Sequence, residues 1–315
     1  MMPSLLIVDA NHTLHRVMKQ PSVAELKMGG VFGFLRTLHQ VLGRYPFRQV
    51  VACWDGGLST RRRALCPEYK QHRDPPEPGY RERFNLNRAY LSQLFALLGV
   101  GELRFERREA DDVIHRLRER VRLLDPTVAA VVISEDRDFF QLVDEVTALY
   151  LPRKDRYVTV NCFEELAGVP RDRFLLCKSI LGDRGDNISG IPGVGEVTAK
   201  KIANAAPVAD GALLEERWEP VRQFCVESTD KRVRKASTAW NVVYRNYQLV
   251  ALDLEPFTPQ ELLDIDALIT APPEVNLEGA RSLLSAMEFR SIIATFGDWA
   301  EPFKRLRSGP CIVTS

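Results

Sequence analysis

Three apolar runs in this chain each lead into a carboxylate: LLIVD at 5–9, QVVACWD at 49–55 and VAAVVISED at 128–136. Helix-like stretches separate them. VFGFLRTLHQVLGRY follows the first, and a segment from about Glu109 to Leu124 keeps Val113, Ile114, Leu117 and Val121 at helical spacing. Alternation of strand, helix and strand implies a parallel sheet, since parallel neighbours need a crossover and cannot be joined by a tight turn. ALYLP and YVTV, separated by the charged RKDR, read as a hairpin at the sheet edge. In a doubly wound sheet ligands gather beyond the carboxyl ends of the strands. Asp9, Asp55 and Asp136 are therefore expected at one crevice.

More acids follow the same logic: Glu109, Asp111 and Asp112 in EADD, Asp138 in SEDRD, and Asp183 and Asp186 in GDRGDN. Taken singly, EADD is also a helix N-terminus with favourable charge, and SEDRD is also a turn. A single metal site accounts for all nine positions at once. Buried carboxylates are costly and repel one another unless cations compensate them, and Mg²⁺ is a natural partner for oxygen ligands with retained water. Two such ions about 3.5–4 Å apart activate a water and stabilise a leaving oxygen in phosphoryl displacement. Zinc is disfavoured. The five histidines (His12, His15, His39, His72 and His115) are scattered, and the six cysteines form no CxxC pair. His12 and His15 read as near-site or helix residues, and the cysteines as reduced thiols.

The segment 59–85 is rich in Arg, Pro, Tyr and Lys, too long for an ordinary connection and too charged for a core. Its RRRALCPEYKQHR stretch brings Arg61, Arg62, Arg63, Lys70 and Arg73 around Tyr69. Cations suit phosphate and a tyrosine ring can stack on an unpaired base, with a solvated charged loop as the alternative. From about 160 the pattern turns helical and indicates a second, α-helical domain. Within it, GDRGDNISGIPGVGEVTAKKI at 182–202 carries a GxPGxG turn between short helices. Gly190, Gly193 and Gly195 let backbone amides approach a phosphate, and Lys200 and Lys201 follow. Such a helix-hairpin-helix grips the DNA backbone without reading bases. KRVRK at 231–235 either extends that track or is a solvated helix face.

Bulk composition agrees with a two-domain globular chain. Of 315 residues 45% are hydrophobic, enough for a real core, and the net charge is only +1, so nucleic-acid affinity must come from uneven charge placement. The N-terminus runs from MMPS straight into LLIVDA with no basic n-region or spanning stretch, which gives the expectation of a cytoplasmic protein without a membrane partner.

With IVDAN at Asp9, WDGG at Asp55, PEYKQHR, EADD, SEDRDF and GDRGDNISGIPGVGEVTAKK in order over residues 1 to about 250, the chain resembles the flap endonuclease and 5′→3′ exonuclease family. The likeness is greatest to the stand-alone phage type and to the 5′-nuclease domain of bacterial DNA polymerase I. It implies a PIN-like α/β nuclease core over 1–160 with a helical arch at about 59–88, a helix-hairpin-helix (H3TH) domain over 161–255 of a kind that often binds K⁺, and an extension over 256–315 without an assigned role. It further implies two Mg²⁺ or Mn²⁺ ions, the first held mainly by Asp9, Asp55, Glu109, Asp111 and Asp112, the second by Asp136, Asp138, Asp183 and Asp186. Lys70 and Arg73 would steer the scissile phosphate and Tyr69 would stack on a base. The implied activity is structure-specific hydrolysis of DNA at 5′ flaps and 5′ ends, with RNA:DNA hybrids as a further substrate. The chain would act as a monomer, alone or with a separate DNA polymerase or single-strand-binding protein. A PIN-type ribonuclease cutting single-stranded RNA is the competing enzyme, and a non-catalytic DNA-binding protein the third reading.

Overall fold

Five consecutive buried residues, Leu5–Asp9, form β1 in the computed structural model of the chain. The model describes residues 2–20, 27–72, 77–205, 214–308 and 312, so Arg73 and Cys311 lie outside the described residues. β1 passes into α1 (Ala10–Met18), and α2 (Gly29–Leu42) returns the chain to β2 (Gln49–Cys53), again buried throughout. Strands apolar on both faces belong inside a sheet covered on both sides. Then come α3 (Thr60–Leu65), α4 (Tyr80–Leu98), β3 (Val100–Leu103), α5 (Ala110–Leu124) and β4 (Ala130–Ile133). β5 (Thr147–Leu151) and β6 (Arg156–Val158) are sheet neighbours joined by four residues, too few for a parallel crossover, which makes the RKDR turn a hairpin.

The six strands run in the order β3-β2-β1-β4-β5-β6. β1 pairs in parallel with β2 and β4, β2 with β3, and β4 with β5. This is the parallel α/β sheet expected from the alternating runs.

Helices dominate from residue 163 onward: α6 (Phe163–Ala167), α7 (Phe174–Leu181), the two-residue strands β7 (Gly182–Asp183) and β8 (Ile188–Ser189), α8 (Glu196–Ala203), α9 (Leu214–Glu227), α10 (Lys231–Thr238) and α11 (Trp240–Val250). The chain closes with α12 (Pro259–Thr270), α13 (Leu277–Ala286), α14 (Arg290–Ala294), α15 (Phe296–Trp299) and α16 (Glu301–Lys304). No helix among the described residues is long and apolar enough to cross a membrane.

By packing, the chain divides into two units: Met1–Gly57, Pro75–Tyr157 and Pro256–Ser315 in the first, Leu58–Asp74 and Val158–Glu255 in the second. Two expectations from sequence need correction here. The sequence reading puts the 59–88 segment in the core as an arch, but 58–74 belongs to the second unit. α4 instead lays Asn87, Leu91, Leu94, Phe95 and Leu98 into the first unit. The 256–315 stretch is no appendage. Ala280, Leu284, Ile292, Trp299, Phe303 and Leu306 join the same hydrophobic core as β1, β2 and α2.

Packing of this tail is directly testable. Phe303 is fully buried and its ring lies 5.0 Å from that of Trp299. Phe303→Ala is expected to cost ~3–5 kcal/mol in chemical denaturation. Leu263→Ala, at a side chain 60% exposed, is expected to change stability by under about 0.5 kcal/mol. Equal losses from the two would contradict this assignment of the tail.

Candidate functional site

Strand order in the first unit reverses between β1 and β4, and that reversal opens the crevice in which a doubly wound sheet holds its ligand. Asp9 is the last residue of β1 and the N-cap of α1. One carboxylate oxygen, Oδ1, accepts from the His12 amide at 3.0 Å, and the other, Oδ2, from the hydroxyl of Ser134, the residue just past β4, at 2.7 Å. The same Ser134 oxygen receives the Asp136 amide at 3.0 Å, and Asp136 Oδ1 receives the Asp138 amide at 2.9 Å, opening a 3₁₀ turn over Arg137–Leu142. One hydroxyl thus orients the acids that follow two adjacent strands.

Asp55, two residues beyond β2, is held from two directions. Asn11 Nδ2 donates to its Oδ2 at 2.6 Å, and the amide of Ala110, the first residue of α5, donates to its Oδ1 at 2.7 Å. The backbone after it is locked as well: the Gly56 amide donates to Arg108 O at 2.8 Å and the Arg107 amide to Gly56 O at 3.1 Å. A Cβ on Gly56 would fall 1.7 Å from Phe105 O, so only glycine permits this approach. Glu109 caps α5 and is buried, Asp112 one turn on is wholly buried, and Asp111 and Asp138 are half-buried.

Burial pushes the Asp9 carboxyl up to about 7; the Ser134 and His12 hydrogen bonds oppose the shift, and repulsion from Asp55 and Asp136 adds to it. Asp9 therefore lies within electrostatic reach of both Asp55 and Asp136. Burial likewise lowers the His12 imidazole, against the pull of Asp136 and Glu135. His15 is committed elsewhere, stacked on Phe84 at 4.3 Å and sharing a 2.7 Å hydrogen bond with the Tyr80 hydroxyl.

Among the described residues no three carboxylate, imidazole or thiol groups form a ready-made chelating cage. The acids are instead spread over amides, hydroxyls and Asn11. An all-oxygen donor set of this kind fits a hard divalent cation that uses carboxylates directly and keeps several waters.

Asp183 and Asp186 belong to the second unit, each with a lysine. Lys178 Nζ lies 3.0 Å from Asp183, and Lys70 Nζ 3.6 Å from Asp186. The Tyr69 hydroxyl also donates to Asp186, at 3.2 Å, and its ring is only 3% exposed, packed with Ile188, Leu249 and Val250. Base stacking by Tyr69 is therefore corrected: its faces are spent on core.

Arg61 and Arg62 are corrected for a related reason. Arg61 donates to Gln248 O and to Glu255 at 3.1 Å, and Arg62, 2% exposed, donates to Leu249 O at 2.8 Å. Both satisfy the free carbonyls at the end of α11. Arg63 stays exposed.

In the hairpin between α7 and α8, Gly193 takes φ +82, and a Cβ on Gly190 would meet Leu181 O at 2.0 Å, whereas Gly195, the N-cap of α8, has open space. Lys200 and Lys201 make exposed pairs with Glu196 (2.7 Å) and Asp230 (3.1 Å), too weak to withhold them from a phosphate.

Residues 4–168 match the 5′-3′ exonuclease, N-terminal resolvase-like domain. The 5′-3′ exonuclease of Bacillus subtilis is 30% identical over 221 residues, covering 66% of this chain and 72% of that protein. This chain belongs to the 5′→3′ exonuclease family. A further relative, the thermostable DNA polymerase I of Thermus filiformis, is 30% identical over 93% of this chain. There the exonuclease-family chain spans only about a third, 33%, of the relative's length. In fold it is similar to the bacteriophage T5 flap endonuclease solved with DNA and metal ions, with a TM-score of 0.64 at 21% identity over 90% of this chain and 99% of that one. The catalytic core of Rad2 in complex with DNA substrate gives a TM-score of 0.57 at 17% identity, over 96% of this chain and 92% of that one. Both likenesses show the PIN-like nuclease fold for this exonuclease-family chain.

Reading the family motifs as acids alone misses the groups that aim them. Asn11 stands in IVDAN and Ser134 opens SEDRDF, yet only the fold reveals that they bridge to Asp55 and Asp9. For Asp9 the linkage has a definite sign. Its folded pKa lies above the ordinary 3.8, so the folded protein binds this proton more tightly, and the stability it contributes is lost as pH rises towards about 7. Asp9→Asn is expected to raise the melting temperature in EDTA by an amount that grows from about pH 4 to about pH 7 and then levels off. A gain independent of pH, measured by thermal melts across that range, would refute the elevated pKa.

Proposed function

We propose that the chain hydrolyses DNA phosphodiesters at 5′ flaps and 5′ ends in a divalent-metal-dependent reaction that leaves 5′-phosphate products. The observation that carries this reading is the convergence of Asp9, Asp55 and Asp136 at the reversal point of the sheet, beside buried Glu109 and Asp112. Asp9, Asp55, Glu109, Asp111 and Asp112, with Asp136 and Asp138, would hold two Mg²⁺ or Mn²⁺ ions, which when bound supply an activated water and charge stabilisation at the leaving 3′-oxygen. Ser134 and Asn11 keep one oxygen each of Asp9 and Asp55 turned to fixed donors, so the remaining lone pairs point in defined directions. A divalent cation at Asp9 would have to displace the proton that its raised pKa retains below about pH 7, so binding there would strengthen as pH rises.

DNA is held, in this reading, by the second unit. Backbone amides of the Gly190–Gly195 hairpin, Lys200 and Lys201 meet the phosphates. α10 adds a face on which Lys231, Arg232, Arg234 and Lys235 are all exposed and make no ion pair among the described residues, while Val233 and Ala236 are buried. Lys235 Nζ sits 3.6 Å from where a Gly193 Cβ would lie, which brings this face to the hairpin. A K⁺ ion at the hairpin and action on RNA:DNA hybrids beside a separate polymerase belong to the same proposal.

Cleavage of a 5′-labelled flap is expected with Mg²⁺ and not with EDTA, and Asp136→Asn is expected to lower kcat by at least about 10²-fold while sparing flap binding in EDTA. Cutting of single-stranded RNA alone would replace this reading with the ribonuclease one. Exchanging Lys231, Arg232, Arg234 and Lys235 for Gln should flatten the dependence of log affinity for duplex on log salt by ~0.9 for each phosphate that is no longer neutralised. An unchanged slope would leave α10 a solvated face.

A further inference from the structure

We infer that Glu261, on the first helix of the C-terminal segment, is a positioning residue for Asp55 and Glu109, acting through Arg108; this rests on the metal-nuclease reading above. The chain of contacts lies wholly within the first unit. Glu261 grips the Arg108 guanidinium with two parallel hydrogen bonds, Nε to Oε1 at 3.1 Å and Nη2 to Oε2 at 3.2 Å, with both side chains 15% exposed. Forked pairs of this kind fix orientation as well as distance. Glu261 is itself anchored: the Thr258 hydroxyl accepts the Glu261 amide at 3.2 Å in a capping box that starts α12. The Phe257 ring just before it has Arg108 and Arg116 at 5.2 Å each and receives the edge of Phe105 at 6.0 Å.

What Glu261 grips is the loop that sets the site. Arg108 O accepts the Gly56 amide, Arg107 N donates to Gly56 O, and Arg104 Nε donates to Asp55 O at 3.0 Å. Glu109 follows Arg108 directly, and the next amide, Ala110 N, is the one that holds the Asp55 carboxylate. Displacing Arg108 therefore displaces the backbone on both sides of two acids. A few tenths of an ångström suffice to disturb a cation that tolerates only near-ideal octahedral geometry. A second forked pair, Arg120 of α5 with Asp266 of α12, lies about three helical turns further along α5 from Glu109. That pair serves as an internal control, since it shares the stabilising role and lacks the link to Asp55.

The test is Mn²⁺ binding to the full chain without DNA, titrated by EPR, beside melting temperatures in EDTA, for wild type, Glu261→Gln and Asp266→Asn. Glu261→Gln should weaken Mn²⁺ affinity by about tenfold, as loss of an outer partner of a metal site does. Asp266→Asn should leave affinity within about twofold while lowering the melting temperature comparably. Equal loss of affinity in both variants, or in neither, overturns the positioning role of Glu261. Failure of the wild-type chain to bind Mn²⁺ is a different result and sinks the metal reading itself.

Discussion

One buried carboxylate, Asp9 at the end of β1, with Asp55 and Asp136 beyond the ends of the two neighbouring strands, is the constraint that the rest of the first unit accommodates. Desolvation and mutual repulsion raise Asp9 to about 7, so the fold without a cation carries an unfavourable charge concentration where its sheet reverses. What keeps the acids there is a set of short donors, Ser134, Asn11 and the amides of His12, Ala110 and Asp138, supplied by α1, the start of α5 and the turn after β4. The donors do not neutralise the acids. They fix orientation at a modest gain per bond and leave the electrostatic cost in place. In the proposed metal reading, a divalent cation relieves that cost.

In the second unit the same residue type serves two unrelated ends. Arg61 and Arg62 terminate α11 from a segment almost two hundred residues earlier, and their charge is consumed by carbonyls and Glu255. Lys231, Arg232, Arg234 and Lys235 stand on a helix whose inner face is apolar and whose outer face has only solvent to meet. Burial, and not the number of basic residues in a run, separates structural cations from those available to a phosphate.

The middle of the sheet is legible in the sequence because β1, β2 and β4 are buried throughout and each leads into an acid; period and punctuation agree there, and the order of the elements follows. SEDRDF is legible for the same reason, and EADD as the acidic start of a helix. Tyr69 is misread because a tyrosine among arginines looks alike whether its ring faces solvent or a small cluster of Ile188, Leu249 and Val250. The tail is unreadable on physical grounds. Its helices run to only 4 or 5 residues in places, such as Arg290–Ala294 and Phe296–Trp299, so each shows one or two inward side chains and no periodicity can emerge.

That tail also changes what the nuclease core is. A parallel sheet needs both faces covered, and here the cover on one side is completed by Leu284, Trp299 and Phe303, while Glu261 reaches a loop 153 residues earlier. Contacts of such sequence separation are slow to form and are only rewarded once the intervening chain has been ordered. The acids at the ends of β1 and β2 lie within the first 55 residues, yet Arg108, whose carbonyl holds the Gly56 amide beside Asp55, is gripped by Glu261 from the segment after 256.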